Sequence, residues 1–546
     1  MADKLATPFE HRDPSSTVNE DAYVAIRKSP KDDGTGLNEP RASTSWRASR
    51  RSTSRVRLSR LESMMHEEHA AALIPMPILY VTIAVALMGS FQFGWLLSQL
   101  NYRPFNVDCA KNPIPDKACI MFPGHSGNEW TMAVTAWIVG GAIGAMTSGY
   151  PADKFGRQRT LFLIAITMII GGVLETVSSE IYLFSFGRVV SGIASGAAIN
   201  VSNVLISEIS PTQMRGMFST GLQVGVAFGS LAVTTVHYFV GYGSGWRILV
   251  GFPIVLGIAQ ILLIPLTTKS PVWLVTHGQN DLALKELKRL YRPCNTEAIL
   301  NAMIAAHEEE VKETEGVNAW AALFSKKYRK QLIIGMVLCS AQQLCGINAV
   351  MYYSSSIFFS AGVTDPRVGN TIVNVVRTTM ILVAARIMDK FKRRTLLLSF
   401  MTLMAIASVG IIISLLVSSP ILSVLATGLY VGAFCLSIGP MAWMVTGEIF
   451  PDFLHANSGA IGTMCTWVGN FLVGVFYPTI SKDNSLGNYA FFIFVAFLIA
   501  YVIFIYFVVP ETAHKTFDEI QKEFDIEPTH KDVDDEEAPK QDPWAS

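Results

Sequence analysis

Charge is scarce in this sequence. Only 16% of the 546 residues are Asp, Glu, Lys or Arg, and the 43 basic residues cancel the 43 acidic ones. A soluble protein carries about a quarter charged residues. The zero balance gives no support to a nucleic-acid partner. Other signatures are missing too. No Cys/His spacing matches a metal site, no phosphate-cradling glycine loop occurs, and no nucleophile lies near a base in a recognisable pattern. Neither an enzyme nor a cofactor is expected. No apolar run stands at the N-terminus, where a secretory signal would lie, because the first one begins near Pro75.

What the chain has instead is apolar blocks of about 20 residues, the length that crosses a bilayer. Twelve are centred near Ala86, Ile138, Ile166, Ile193, Ala227, Leu256, Leu344, Met380, Ile406, Val431, Val468 and Phe497. Residues 1–74 are polar and are expected to form a disordered cytosolic tail. Its basic stretch Ser45–Arg60 reads as a topogenic, lipid-facing segment, or as a phosphorylation switch at Ser52, Ser54 and Ser59. The expected domains are a six-helix bundle over 75–267, a cytosolic helical linker over 268–329, a second six-helix bundle over 330–509 and a cytosolic tail over 510–546. Basic loops at Asp153–Arg159 and Asp389–Arg394 place both termini in the cytosol by the positive-inside rule. Cys109 and Cys119 share the first connection and can pair if it is extracellular. The remaining cysteines read as small core residues or, for Cys294, as part of the linker.

The two halves repeat each other. D-K-F-G-R-Q-R-T-L at Asp153–Leu161 is matched by D-K-F-K-R-R-T-L at Asp389–Leu396, and S-E-I-S-P at Ser207–Pro211 by G-E-I-F-P at Gly447–Pro451. A parallel repeat of six spans is a transporter architecture with its site between the halves. The acids and arginines of these motifs, with Arg215 and His455 nearby, read as an ion-pair latch that forms in one state and breaks in another. Plain topogenic charge is the alternative.

The least hydrocarbon-like stretch at membrane depth is Gln342–Ser354, Q-Q-L-C-G-I-N-A-V-M-Y-Y-S. Its amides are neutral and offer donor and acceptor together, which suits a polyhydroxylated, uncharged ligand. On a regular helix Gln342 and Gln343 differ by about 100°, and Asn348 lies about 120° from Gln342 the other way. Gly346 therefore predicts a local break that turns several amides to one cavity; the alternative is that some of them bind neighbouring helices. Gly439-Pro440 predicts a hinge in the tenth span, or a packing kink.

These motifs, together with Gly187–Arg188, Glu208–Gly216, Gly439–Trp443 and Pro510–Thr512, resemble those of a major facilitator superfamily sugar porter, close to the facilitative hexose transporters. The resemblance spans about Leu79–Asp518. It implies an all-α membrane protein with twelve transmembrane helices in two pseudo-symmetric six-helix bundles, the major facilitator fold. The implied activity is facilitated diffusion of a hexose across a lipid bilayer by alternating access, glucose first, with fructose and galactose as further substrates, at the plasma membrane. The implied sugar contacts are Gln223, Gln342, Gln343, Asn348, Asn374, Phe434, Trp443, Trp467 and Asn470. The implied gating set is Asp153, Arg157, Arg159, Glu208, Arg215, Asp389, Arg393, Arg394, Glu448 and Glu511.

The chain departs from that pattern in places. Proton-coupled relatives carry an aspartate two residues after a Phe-Gly pair in the first span; Phe93-Gly94 is followed there by Leu96. A proton-coupled symporter of a hexose or polyol thus becomes the second expectation, and a transporter-like sugar sensor a third. Glu175 and Arg188 are expected to pair. Lys392, Cys435 and His455 replace usual family residues, as does Thr268–Val272 after the sixth span. The eighth span carries Arg377 and Arg386. Counting back from Asp389 puts Arg377 at the family's contact asparagine, whereas the local V-N-V-V pattern puts Asn374 there, and Asn374 is preferred. An arginine in the cavity would shift specificity toward something acidic.

Overall fold

The computed structural model describes residues 75–525, other than 110–113, 115–118, 241–242, 293–295, 315–317, 389, 483, 514 and 516. The N-terminal tail with Ser45–Arg60, the acidic end of the C-terminal tail, Asp389 and the side chain of Arg215 lie outside the described residues.

Among the described residues twelve helices are long and apolar enough to cross a membrane, and every expected centre falls inside one. In chain order they are α1 (Pro77–Ser98), α2 (Gly127–Thr147), α3 (Arg157–Val177), α4 (Ile181–Ile209), α5 (Thr212–Val240) and α6 (Trp246–Leu263). The second six are α7 in two pieces (Arg329–Leu344 and Ile347–Ser360), α8 (Pro366–Ile387), α9 (Arg393–Leu416), α10 in two pieces (Pro420–Leu436 and Ile438–Ile449), α11 (Asp452–Ile480) and α12 (Phe492–Val508). Among the described residues the only strand-like pairing is an isolated bridge between Pro75 and Tyr291. It ties the start of α1 to the connection between the halves, which contains helices Pro271–Thr276, Asn280–Leu290, Thr296–Thr314 and Ala319–Leu323. That face of the bundle is the linker end. The opposite face carries the first connection, where Cys109 and Cys119 form a disulfide; it is the disulfide end.

The packing reproduces the sequence repeat. In the first half α1 packs on α5, α2 on α4, and α3 on both α4 and α6; in the second, α7 packs on α11, α8 on α10, and α9 on both α10 and α12. Between the halves α2 meets α11 and α8 meets α5, two contacts that exchange when the halves are swapped. Hydropathy sorts the helices by depth. Over their most apolar stretches α12 is only 28% buried within the protein, whereas α7 is 67% buried. The outer helices can be uniformly apolar because lipid covers them, and the central ones carry the polar groups.

Two glycines set the geometry. A Cβ on Gly144 would lie 2.0 Å from the Ile193 carbonyl oxygen, so α2 and α4 approach as closely as backbones allow. Gly346 has φ +99°, which other residues adopt only with strain, and it divides α7. The break expected there is present. In α10 the break falls at Ser437 rather than at Gly439-Pro440. Proline is tolerated in the first turn of a helix, so the new helix begins just before it.

Candidate functional site

The divided α7 turns its amides toward one another. Gln342 Nε2 donates to the Gly439 carbonyl oxygen of α10. Gln343 Nε2 donates to Gln342 Oε1 at 3.2 Å, and Gln343 Oε1 accepts from Asn348 Nδ2. The three amides thus form a chain across the helix break, with Gln342 and Asn348 buried. One turn along α7, Tyr352 donates its hydroxyl to Asn470 Oδ1 of α11 at 2.9 Å.

Aromatic rings line the join between the halves beside this chain. Trp467 of α11 stands 6.2 Å from Phe93 of α1 and 6.0 Å from Trp137 of α2, and Trp137 stands 6.4 Å from Tyr352. A Cβ on Gly141 of α2 would come within 2.2 Å of the Trp467 ring. Trp467 is therefore seated against α2 and buried. Trp443 is partly exposed on α10, and Phe434 packs over Gly439. Gln223 is exposed on α5.

Asn374 and Arg377 lie one turn apart on α8, both buried. Asn374 Nδ2 donates to the Asn370 carbonyl oxygen at 2.9 Å, and its Oδ1 has no partner. Arg377 Nη1 reaches into the first half, donating to Ser230 Oγ of α5 at 3.1 Å, and touches Met351 Sδ at 3.5 Å. Arg386 is exposed and donates to Leu382 of its own helix.

At the linker end the two halves build one device twice. Arg157 Nη2 meets Glu208 Oε1 at 2.7 Å, while Nη1 donates to the Ala152 carbonyl oxygen at 3.0 Å and reaches Asp153 at 3.1 Å. In the second half Arg393 meets Glu448 at 3.6 Å and donates to the Met388 carbonyl oxygen, again five residues earlier. Glu511 accepts from the backbone amides of Arg393 and Arg394 at 2.8 and 3.2 Å, holding the N-terminus of α9. Arg394 donates to the Tyr506 carbonyl oxygen, and Arg159 is exposed. His455 contacts the Phe450 carbonyl oxygen at 2.8 Å. The Arg157 and Glu208 side chains are each only 12% exposed, so their pairing is screened little by solvent. Glu208→Gln is expected to lower the maximal rate of sugar counterflow about tenfold, a loss of about 1.4 kcal/mol. The half-saturating concentration should change less than twofold, and an unaltered maximal rate would show that the pair is no latch.

One expected pair differs. Glu175 accepts from Gln99 Nε2 at 3.1 Å, and Arg188 donates to the Leu96 carbonyl oxygen at 3.3 Å and 3.4 Å. Each buried group has found a neutral partner nearer than the other charge, so they interact through space without a direct hydrogen bond. A polar cluster at the disulfide end went unnoticed in the sequence. Asn101, just past α1, donates to the Met351 carbonyl oxygen and to Ser354 Oγ, both at 2.8 Å, and its Oδ1 accepts from Ser355 N at 3.1 Å. Asn370 Nδ2 donates to the Asn101 carbonyl oxygen at 3.1 Å. Nearby Asp365 is bound by Arg367, which holds its carboxyl below the usual range and lays its guanidinium 4.9 Å from the Tyr238 ring of α5. The only cue in the sequence was that Asn101, Ser354 and Asn370 border apolar spans.

Residues 81–524 match the family model described as sugar (and other) transporter. The chain belongs to that family. Its members are transporters rather than enzymes. This transporter is 32% identical over 464 residues to solute carrier family 2, facilitated glucose transporter member 3, of Oryctolagus cuniculus, covering 82% of this chain and 93% of that one. It is 31% identical to facilitated glucose transporter member 14 of Homo sapiens over 463 residues, covering 82% and 88%. The proton:xylose symporter XylE bound to 6-bromo-6-deoxy-D-glucose matches its fold with a TM-score of 0.67 at 23% identity, over 83% of this chain and 100% of that one. The partially occluded inward-open XylE from E. coli gives 0.66, over 81% and 100%. Together they identify the two-bundle transporter fold expected from the internal repeat.

Proposed function

We propose that the protein carries a hexose, glucose first, across a lipid bilayer by facilitated diffusion with alternating access. The observation that carries this reading is the amide chain Gln342–Gln343–Asn348 at the break in α7. Paired amide groups match the vicinal hydroxyls of a pyranose, and aromatic faces such as Trp443 and Trp467 cover its C–H surface. Gln223, Asn374, Phe434 and Asn470 complete the proposed contact set, with fructose and galactose as further substrates. The glucose-transporter names of the relatives support the same class. The bundles take residues 75–267 and 330–509, the linker 268–329 and the tails 1–74 and 510–546. Both termini lie in the cytosol of a plasma-membrane protein, a reading the basic loops at the linker end support. The disulfide end is then extracellular, where a Cys109–Cys119 bond persists.

Proton coupling is the second reading, and one observation keeps it open. Glu175 is a fully buried carboxyl whose Oε1 has no partner, and energised symport needs a titratable group of this kind. Uptake of labelled glucose and fructose into proteoliposomes separates the two. A uniporter equilibrates sugar without a pH gradient and shows counterflow, and Glu175→Gln then changes the rate less than about threefold, under about 0.7 kcal/mol. Accumulation driven by an inward proton gradient and abolished by Glu175→Gln would establish symport instead. Specific sugar binding with no flux would establish a sensor.

A further inference from the structure

We infer that the proposed sugar site also takes an anionic sugar, a hexose-sized polyol bearing a carboxylate, with Arg377 as the group that holds the negative charge. The inference rests on the proposed sugar site and extends its substrate class.

A guanidinium stays charged in any protein environment. At membrane depth such a group is costly unless an opposite charge or several carbonyls compensate it. Arg377 is only 8% exposed. Four elements pack around it, and what they present is neutral: the Ser230 hydroxyl from α5, the Met351 thioether from α7, Cys435 from α10, which donates to the Arg377 carbonyl oxygen, and its own helix α8. Among the described residues no carboxylate pairs with it. Of the other buried arginines, Arg188 has Glu175 within electrostatic reach and Arg393 meets Glu448 at 3.6 Å. Among the described buried arginines, Arg377 is the one whose cationic head has no countercharge.

A second group points to the same ligand. Asn374 is 3% exposed, and its Oδ1 is a buried acceptor without a donor. Three residues apart on a helix, Asn374 and Arg377 share a face about 4.5 Å apart along the axis. The protein therefore offers an unmatched cation and, one turn away, an unmatched acceptor. A carboxylate satisfies the first and a neighbouring hydroxyl donates to the second. A sugar acid carries both at this spacing, whereas a neutral hexose supplies the hydroxyl but leaves the guanidinium uncompensated. Met351 also lies one turn beyond Asn348 on α7, which links this pair to the amide chain.

Full-length protein in proteoliposomes tests this with labelled glucuronate, labelled glucose and chloride as probes. Glucuronate is expected to compete with glucose and to be carried itself. Because uniport of an anion moves charge, an imposed potential of about 100 mV should shift its equilibrium distribution about fiftyfold, with no effect on glucose. The ratio of glucuronate to glucose flux should fall at least tenfold in Arg377→Gln and be largely retained in Arg377→Lys. If Arg377→Gln does not fold, competition and the potential response of the unaltered protein decide. Glucose flux without competition by glucuronate would overturn the inference, as would an unchanged flux ratio in a folded Arg377→Gln, or competition reproduced by chloride alone. Glucuronate flux that depends on Arg377 without glucose flux would retain this inference and remove the hexose reading; no flux of either would remove both.

Discussion

Gln342→Leu is expected to lower glucose transport at least a hundredfold while the protein still reaches the membrane. Leucine nearly preserves the volume, so the effect isolates the amide. Gln342 is buried, its Nε2 satisfies the Gly439 carbonyl oxygen, and its Oε1 accepts from Gln343. In leucine's place Gly439 and Gln343 lose partners, and the incoming sugar meets a methyl group where its hydroxyls need a donor and an acceptor. Sites built for hydroxyls lose about 10⁴-fold or more when polar pairing fails, so a hundredfold is a conservative figure. Stranding the buried Gly439 carbonyl oxygen costs about 1–3 kcal/mol of stability. Counterflow kinetics and the thermal midpoint, measured together, separate the two roles. A lowered midpoint with unchanged kinetics would make Gln342 a helix-packing group and remove it from the sugar site.

The second large effect concerns the disulfide end. In this structure Asn101 of the first half closes on α7 and α8 of the second through its side chain and its carbonyl oxygen. Ser354 Oγ also donates to Asn370 Oδ1 at 2.7 Å, so the two halves share one buried polar cluster. Alternating access requires this cluster to open and close. Asn101→Ala leaves the Met351 carbonyl oxygen, Ser354 and Ser355 N without their partner. At about 1–3 kcal/mol for each stranded group, the closed state should lose about 3 kcal/mol, a shift of more than a hundredfold toward opening at this end. Spin labels at Phe239 and Val368, exposed residues of α5 and α8, report the separation of the halves. The distance distribution should move to longer values in Asn101→Ala; an unchanged distribution would show that Asn101 does not lock the gate. Transport should slow because the return step requires closure.

Both predictions rest on contacts between segments far apart in the chain, and this divides what was legible from what was not. The twelve spans were legible because hydropathy is a local sum over about 20 residues. The twofold arrangement was legible because repeated motifs such as Asp153–Leu161 and Asp389–Leu396 carry the same fold instructions in each half. Arg157 and Arg393 accordingly hold matching carbonyls and matching glutamates. The break in α7 was legible because Gly346 is followed by amides that one helical face cannot gather.

Partnership was decided only by the tertiary structure. The family resemblance implies Trp467 as a sugar contact, but its burial against Gly141 depends on how closely α2 approaches α11. Glu175 and Arg188 were matched by charge and depth, yet Gln99 and the Leu96 carbonyl oxygen lay nearer. Asn101 merely borders an apolar span in the sequence, whereas in the fold residues some 250 positions later enclose it. The two counts that competed over α8 both name buried residues on one face, and only the packing shows that Arg377 crosses to Ser230 while Asn374 keeps a free acceptor. Local composition settles whether a segment is helical and lies in the bilayer. Which polar groups then meet is settled by how the two bundles pack, because a buried donor takes whichever acceptor the packing brings nearest.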